Sequence, residues 1–191
     1  MNQMKIYGIC GTNGSGKDTL GLFLAEKYGY MFVSVTELLR EEARRRSLPV
    51  EREVLRTISA EWRRELGLGA LVDKALELYK AQPEGKFNGL VMSSLRNPGE
   101  VDRIHELGGQ EIWTDAEPHV RYKRIISRHR GHEDSKTFEQ FMEEEEAEMN
   151  QSGDEATLNM NGVRDKSDIF ITNSSNDLNE FDAEIEKALG L

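Results

Sequence analysis

The sequence predicts an α/β fold in which helices cover both faces of a parallel sheet of about five strands. Two observations predict this class. Short apolar runs, typical of buried strands, alternate along the 191 residues with longer segments whose apolar residues recur at helical spacing. The first apolar run also leads through a glycine-rich turn directly into a helical segment, as in a strand–loop–helix unit. With neither an internal repeat nor a long linker in the chain, we expect one three-layer α/β/α domain over residues 1–191.

In the N-terminal half, two apolar runs predict strands, at residues 4–10 and 30–35. Apolar residues at helical spacing predict helices at 17–28, 51–66 and 70–80. A further helix is expected after the second strand, with Thr36 as its N-cap, because a threonine hydroxyl can accept a hydrogen bond from the first turn. Pro49 ends that segment.

In the C-terminal half, strands are expected at 89–94, 110–114 and 168–172, and helices at 97–107, 118–130, 137–150 and 177–189. Trp62 and Trp113 occupy patterned positions, so we expect both in the core. The glutamates of residues 143–148 are expected to form a solvated helix face. The least patterned stretch, 151–161, is interpreted as a mobile connection.

Composition limits the possible partners. The chain is 37% apolar and 31% charged, enough apolar material for a core, and its formal net charge is −10. This acidity argues against nucleic acid and anionic membranes, which require a basic surface. The single cysteine, Cys10, cannot form an internal disulfide, and no apolar run reaches membrane-spanning length. We therefore expect a cytoplasmic protein, monomeric or homodimeric, that acts on a small molecule.

The strongest motif is the segment 11–19, GTNGSGKDT, which contains the GxxxxGK pattern of a phosphate-binding loop (P-loop, or Walker A motif) between a strand and a helix. Glycines at 11, 14 and 16 allow a tight turn whose backbone N–H groups point at phosphate oxygens. The following helix N-terminus adds partial positive charge, and Lys17 supplies a full one to the β- and γ-phosphates. The predicted nucleotide-binding residues are Gly11, Asn13, Gly14, Ser15, Gly16, Lys17, Asp18 and Thr19.

Asp18 departs from the usual pattern, in which a serine or threonine hydroxyl follows the lysine and binds Mg²⁺. A bare carboxylate beside a triphosphate would be repelled, whereas one facing a cation would be attracted. We therefore assign Asp18 to the metal or its water shell. The alternative is a solvated first-turn aspartate that only favours the helix dipole.

With this loop, the chain resembles the nucleoside monophosphate kinase group, including adenylate kinases, small archaeal-type nucleotide kinases and dephospho-CoA kinase-like proteins. The segment Lys17-Asp18-Thr19 is similar to the adenylate kinase loop, and the resemblance implies that Thr19 contacts the α-phosphate. It also implies a P-loop NTPase fold, ATP and Mg²⁺ as cofactors, and a helical acceptor-binding insertion, which we place at residues 36–82.

Two segments resemble the acceptor site of these kinases. The segment 34–40 ends in Leu39-Arg40, and the resemblance implies that Arg40 binds the acceptor phosphate; a planar guanidinium on an early helical turn could do so bidentately. The strand end at 91–96 places Arg96 where a second acceptor ligand is expected, at the carboxyl edge of the sheet. Glu100 matches the position of a base-contacting glutamine; it could instead bind a sugar hydroxyl or support Arg96.

Ser93 stands where these relatives often carry a metal-supporting aspartate. We therefore hypothesise that Asp18 restores the missing negative charge.

A short lid is expected at residues 128–137. The helix before it carries Arg121, Arg124 and Arg128 on one face. In the resembling kinases, an Arg-x-x-x-Arg pair begins the lid over ATP, and Arg124 and Arg128 fit that pair. Arginines brought in by closure would stabilise the charge of the transferred group. The alternative is a basic face that is solvated or pairs with the glutamates of 143–146.

The last strand ends in Asn173, which resembles the adenine-side loop of dephospho-CoA kinases; a plain turn residue is the alternative. The sequence thus predicts ATP-dependent phosphoryl transfer to a nucleoside monophosphate, with Lys17, Arg96, Arg124 and Arg128 as catalytic residues and Arg40, Arg96 and Glu100 as acceptor ligands. Two alternatives stay open: transfer to a ribose hydroxyl, as in dephospho-CoA kinases, and a nucleotide-binding regulatory ATPase without transferase activity.

Overall fold

The first strand of the chain lies at the centre of a five-stranded parallel sheet. The computed structural model describes residues 4–127 and 136–191. The strand order is β2-β3-β1-β4-β5, and every neighbouring pair is parallel. The strands are β1 (Lys5–Gly11), β2 (Tyr30–Ser34), β3 (Gly89–Ser93), β4 (Gln110–Asp115) and β5 (Ile169–Thr172).

Helices cover both faces of the sheet, which confirms the three-layer prediction. Within the described residues they are α1 (Lys17–Tyr28), α2 (Val35–Arg45), α3 (Arg52–Leu66), α4 (Ala70–Lys80), α5 (Pro98–Glu106), α6 (Pro118–Ser127), α7 (Phe138–Met149), α8 (Met160–Lys166) and α9 (Leu178–Leu189). None of these helices is both long and apolar enough to cross a bilayer.

Two local predictions were wrong. Thr36 lies inside α2, because the helix already begins at Val35 and Ser34 occupies the N-cap position. The stretch 151–161, interpreted as a mobile connection, contains the start of α8 and is held in place by backbone hydrogen bonds: Asn159 N donates to Arg96 O at 3.0 Å. Ala156 in this stretch is also buried.

The core divides between the two faces of the sheet. On one face, Leu20 and Leu24 of α1 pack with Ile9, Ile112 and residues of α9. On the other, residues of α2 to α5 pack against β1 and β3, and a smaller cluster joins α5 and α8 to the sheet through Cys10 and Trp113. Trp62 and Trp113 are buried, as predicted, and burial raises the pKa of the Cys10 thiol, which fits a packing role.

All five strands end at the same edge of the sheet because they are parallel. Gly11, Ser34, Ser93, Asp115 and Thr172 are their last residues. Ligands of open α/β sheets bind at this carboxyl edge. The segments that follow Gly11, Ser34 and Ser93 all carry residues predicted for the site. Along the chain, the helices α2, α3 and α4 connect β2 to β3.

Candidate active site

A cleft of about 980 Å³ opens at the carboxyl edge of the sheet. Its lining includes residues of the loop 13–19 and residues of α2 and α3. Apolar side chains also line it: Leu22, Phe32, Val35, Leu39, Val50, Leu55, Leu71, Ile125, Phe141 and Leu158. A ligand that combines an apolar or planar body with anionic groups at both ends would suit this lining.

The backbone of the phosphate loop depends on its glycines. Gly14 has φ +83, and a Cβ there would lie 2.8 Å from the Arg121 carbonyl oxygen. Gly16 has φ +99, and its Cβ would lie 2.5 Å from Asn173 Nδ2. The loop therefore fits between α6 and the β5–α9 connection only with glycine at both positions.

Side chains tie the loop to β4. Ser15 Oγ donates to Thr12 O at 2.8 Å and lies 2.8 Å from Thr114 Oγ1, while Thr12 Oγ1 donates to Asp115 Oδ1 at 2.6 Å. Ser15 is fully buried, so its side chain holds the loop and does not face the cleft. Asn13 and Thr19, like Asp18, do line the cleft.

Lys17 crosses the loop that it follows. Its Nζ donates to Gly11 O at 2.9 Å and to Thr12 O at 2.7 Å. Burial, and after it the positive charge of Arg96, lower the pKa of Lys17 to about 8. The ammonium is therefore mostly charged at neutral pH and can exchange its carbonyl partners for phosphate oxygens.

Asp18 and Ser93 are in contact. Ser93 Oγ, which is buried, donates to Asp18 Oδ1 at 2.8 Å. The hypothesis that Asp18 restores the negative charge missing at Ser93 requires this contact. Metal binding by Asp18 stays a prediction. Among the described residues, no cluster of three histidine, cysteine, aspartate or glutamate side chains is placed to hold a metal ion.

A strained turn after β3 directs Arg96 to the cleft. Ser94 adopts φ +72, which is unusual for a residue other than glycine, and its N–H donates to Ile9 O at 2.9 Å. Leu95 is fully buried, and Arg96 lines the cleft. The strained backbone of Ser94 therefore lies where the chain passes from the buried strand to Arg96 in the cleft.

Glu100 does not line the cleft. It is fully buried and accepts hydrogen bonds from Arg96 N at 2.7 Å and Asn97 N at 3.0 Å. Its other oxygen accepts from Arg63 Nε at 2.9 Å and Arg63 NH2 at 2.7 Å. These bonds fit the alternative role, in which Glu100 supports the backbone of Arg96, and the expected role in acceptor binding stays a prediction.

Three arginines meet around one carboxylate. Arg96 NH1 donates to Glu148 Oε2 at 2.8 Å, Arg56 NH2 donates to Glu148 Oε1 at 2.7 Å, and Arg52 NH1 lies 3.4 Å from the same Oε1. Burial alone would raise the pKa of Glu148, but the positive charges of Arg96, Arg52 and Arg56 lower it to about 2. We call Arg52, Arg56 and Arg96 the arginine cluster; all of them line the cleft.

Arg40 lines the same cleft and is not part of this cluster in the structure. Its NH1 donates to Glu37 Oε2 at 2.9 Å, one turn earlier on α2, and its side chain is 37% exposed. The structure therefore places Arg40 and Arg96 along one cleft without bringing them to the same contact.

Arg124 connects the phosphate loop to the β5–α9 connection. Its guanidinium donates to Asn173 O at 2.9 Å, to Ser175 O at 2.6 Å and to Gly14 O at 3.3 Å. Asn173 Nδ2 in turn donates to Ser15 O at 2.9 Å. Both residues therefore lie beside the phosphate loop, and their roles towards a nucleotide stay predictions. Arg128 and most of the expected lid lie outside the described residues.

The sequence prediction missed part of the arginine cluster. Arg52 was not singled out, although Arg52 and Arg56 are four residues apart on one face of α3, a spacing that could have indicated a shared target. The expectation of a solvated face for the α7 glutamates was wrong for two of them. Glu148 is buried, and Glu145 forms an ion pair with the buried Arg121.

Comparison with known proteins identifies the family. Residues 8–151 match a family model described as an AAA domain, AAA_18. A UPF0200 protein of Pyrococcus abyssi is 32% identical over 150 residues, which cover 74% of this chain and 76% of that protein. A UPF0200 protein of Thermococcus kodakarensis is 28% identical over 183 residues, covering 94% and 93% of the two chains. These names state no activity.

Solved structures of small-molecule kinases share the fold. A shikimate kinase from Bacteroides thetaiotaomicron has a TM-score of 0.58 at 16% identity, over 98% of this chain and 99% of that one. A shikimate kinase from Acinetobacter baumannii in complex with shikimate has 0.59 at 14% identity, over 99% and 94%. A gluconokinase from Sinorhizobium meliloti has 0.52 at 17% identity, over 98% and 92%. At these identities the likeness establishes a P-loop kinase-like fold.

Proposed function

The chain belongs to the AAA_18 family of AAA domains, and from this premise we propose that it is an ATP-dependent kinase whose acceptor is a nucleoside monophosphate. The observation that carries the proposal is the single cleft joining the phosphate loop to the arginine cluster. An ATPase that transfers its phosphoryl group to water needs only the first of these anion-binding ends. A kinase whose acceptor carries a phosphate needs both.

In this proposal the loop holds the nucleotide. The loop amides and Lys17 bind the β- and γ-phosphates, and Arg124 and Asn173 position the loop and the base side of the site. Mg²⁺, if bound, would neutralise charge on the phosphates. Asp18, whose carboxylate lines the cleft one residue after Lys17, would hold the ion directly or through water.

The acceptor phosphate would bind at the arginine cluster, with Arg40 further along the cleft. One acceptor oxygen attacks the γ-phosphorus in line while the bond to the β–γ bridging oxygen breaks, so ADP leaves with that oxygen. An ionised acceptor phosphate has no proton to give up, so the reaction needs no general base. Positioning and positive charge carry the catalysis.

Transfer to a ribose hydroxyl is a second candidate, favoured by the position of Asp18. A hydroxyl acceptor has to lose a proton, and Asp18 is a carboxylate in the cleft beside the phosphate loop. Within the described residues, the Asp18 side chain accepts a hydrogen bond from Ser93 through Oδ1, which leaves Oδ2 open to a ligand. In that case Asp18→Asn would abolish transfer to the hydroxyl and spare ATP binding.

A coupled ADP-release screen tests the proposal. The protein would be incubated with ATP, Mg²⁺ and, one at a time, nucleoside monophosphates and dephospho-CoA. We expect at least one nucleoside monophosphate to stimulate ADP release. In Lys17→Met the rate should fall by about 10³-fold or more, because the variant lacks the ammonium that stabilises the transition state. Lys27→Met, an exposed lysine at the other end of α1, is the control and should retain activity.

The outcomes separate the three candidates. Stimulation by dephospho-CoA alone would favour transfer to a hydroxyl. Slow ADP release without stimulation by any acceptor would support a regulatory ATPase. No affinity for ATP in the presence of Mg²⁺ would contradict all three.

A further inference from the structure

The arginine cluster already holds an anion that belongs to the protein. The Glu148 carboxylate lies within 2.8 Å of nitrogens of both Arg96 and Arg56, and Arg52 lies next to it at 3.4 Å. The Glu148 side chain is only 11% exposed, whereas the three arginine side chains are 25 to 32% exposed. The cluster is therefore open towards the cleft while its carboxylate lies at the back.

Glu148 reaches this position from the end of α7. The start of that helix is fixed by a capping box between Thr137 and Gln140, and its middle by the ion pair of Glu145 with Arg121. Glu148 lies in the last turn, one residue before the helix ends at Met149. Terminal turns open more easily than helix middles, so the carboxylate is on the part of α7 that can withdraw at the lowest free-energy cost.

Only one of the carboxylates that pair with this cluster is buried. Besides Glu148, Glu144 pairs with Arg52 at 3.1 Å and Glu53 with Arg56 at 2.7 Å, but their side chains are 43% and 81% exposed, so solvent screens these pairs, and Glu144 also pairs with Lys136. Arg56 Nε, moreover, is buried and has no hydrogen-bond partner among the described residues. The cluster thus has one buried carboxylate for three guanidinium groups and keeps unused hydrogen-bonding capacity.

We propose that Glu148 is a built-in competitor for the acceptor-phosphate site, so that an incoming phosphate displaces it from Arg52, Arg56 and Arg96. The identification of that phosphate with the acceptor rests on the proposed function. Arg52 and Arg56 thereby become acceptor-binding residues beside Arg96. Glu148 becomes the residue that sets which anions can bind.

The selectivity follows from what the anion replaces. A carboxylate from a ligand would exchange one single charge for another, and it would compete with a carboxylate on the same chain at a high effective concentration. A phosphate monoester carries up to two charges and three acceptor oxygens, so it can satisfy several guanidinium groups at once. Glu148 therefore discriminates against carboxylate-bearing acceptors in favour of phosphate-bearing ones.

Anion binding to the nucleotide-free protein tests this inference. Inorganic phosphate and acetate would be titrated by calorimetry into the wild-type chain, Glu148→Gln and Glu143→Gln. Glu143 is an exposed α7 residue that forms no ion pair within the described part of the chain, so its variant matches the change in charge. ATP affinity, measured separately, checks that the phosphate loop is intact in each variant.

We expect Glu148→Gln to bind phosphate about tenfold more tightly than the wild type, because the Glu148 carboxylate no longer occupies the arginine cluster. Acetate binding should become measurable in the same variant, and Glu143→Gln should behave as the wild type. Unchanged or weaker phosphate binding by Glu148→Gln would overturn the inference, since it would show that Glu148 organises the arginines and does not compete for them.

A second readout needs no variant. In the wild-type chain, phosphate should increase hydrogen exchange in the last turn of α7 while α3 becomes more protected. Protection of both helices would overturn the inference even if Glu148→Gln failed to fold. Because neither readout needs ATP or turnover, the failure of this inference is distinguishable from a failure of the kinase proposal, which the ADP-release screen reports.

Discussion

At the scale of single residues, the contact between Asp18 and Ser93 has the clearest chemical consequence. A serine that donates to a carboxylate fixes the direction of that carboxylate, as outer-shell partners do for metal ligands. In the proposed kinase, Asp18 would meet the cation and Ser93 would act only through Asp18. The two substitutions should therefore not be independent.

We expect Asp18→Asn to raise the Mg²⁺ concentration for half-maximal activity by about tenfold or more, because it removes the negative charge nearest the proposed ion. Ser93→Ala should have a smaller effect, and the double variant should resemble Asp18→Asn alone. The measurement is a double-mutant cycle on the Mg²⁺ dependence of ADP release. Glu26→Gln, an exposed residue of α1, is the control. Additive effects of the two substitutions would contradict the arrangement.

Some residues of the candidate site could be predicted from the sequence, and others could not. Lys17, Asp18 and the loop glycines follow from a local motif, and Arg96 from its place directly after a strand. The arginine cluster depends on contacts over 52 to 96 positions of the chain, which no local pattern encodes. Glu148 lies in a run of glutamates, and only the packing of α7 determines which of them is buried.

At the scale of elements, the turn from β3 into α5 links stability to the site. Asn97 is buried; its Oδ1 accepts from Gly99 N at 2.8 Å, and its Nδ2 donates to Glu155 O at 2.7 Å and Thr157 O at 2.9 Å. One side chain therefore caps α5 and holds the connection before α8. Both lie next to Arg96, whose own carbonyl accepts from Asn159 N.

We expect Asn97→Ala to lower the free energy of unfolding by about 3 kcal/mol, from the lost cap and the two buried carbonyls left without donors. Thr137→Ala, which removes only the exposed cap of α7, is the matched comparison and should cost about 1 kcal/mol. Urea unfolding measures both. Equal losses of unfolding free energy in the two variants would show that the hydrogen bonds from Asn97 to Glu155 O and Thr157 O do not stabilise the fold.

Most element boundaries were predictable because strands and helices differ in the period of their apolar residues. The predictions for α1 and α4 coincide with the observed helices. The missed helix, α8, has seven residues, of which only Met160 and Val163 are buried, so it shows too little periodicity to stand out. Thr36 failed as an N-cap for a different reason: the sheet ends at Ser34 and the helix starts at once.

At the scale of the whole molecule, two buried glutamates in opposite environments should contribute to the response to pH in opposite ways. The carboxylate of Glu111 is buried in the sheet without a hydrogen-bond partner among the described residues. Burial, and then the charges of Glu100 and Asp168, raise its pKa well above the ordinary value. The pKa of Glu148, in contrast, is lowered to about 2.

The two groups act on opposite sides of the ordinary glutamate pKa. Glu148 stabilises the fold above that pKa, and its contribution is lost as the pH falls through about 2. Glu111, protonated in the folded state, contributes fully below the ordinary pKa, and that contribution is lost as the pH rises through its raised value. Together they favour a maximum of stability on the acid side of neutrality.

We expect Glu111→Gln, which is neutral at every pH, to remove the alkaline side of this dependence. Relative to the variant, the wild type should lose about 1.4 kcal/mol of unfolding free energy per pH unit while Glu111 stays protonated in the native state. Urea unfolding at several pH values between about 5 and 8 measures the difference. Parallel curves for the two proteins would contradict a protonated Glu111.

The position of β1 between β3 and β4 has a consequence for how the protein is made. During translation β1 leaves the ribosome before both of its pairing partners, which begin at Gly89 on one side and Gln110 on the other. Both of its edges stay unpaired until those later segments emerge, a separation that slows folding and leaves the nascent strand open to chaperones. The hydrogen bond from Asn173 Nδ2 to Ser15 O can form only later still, so the phosphate loop should reach its final conformation only after Asn173 has emerged.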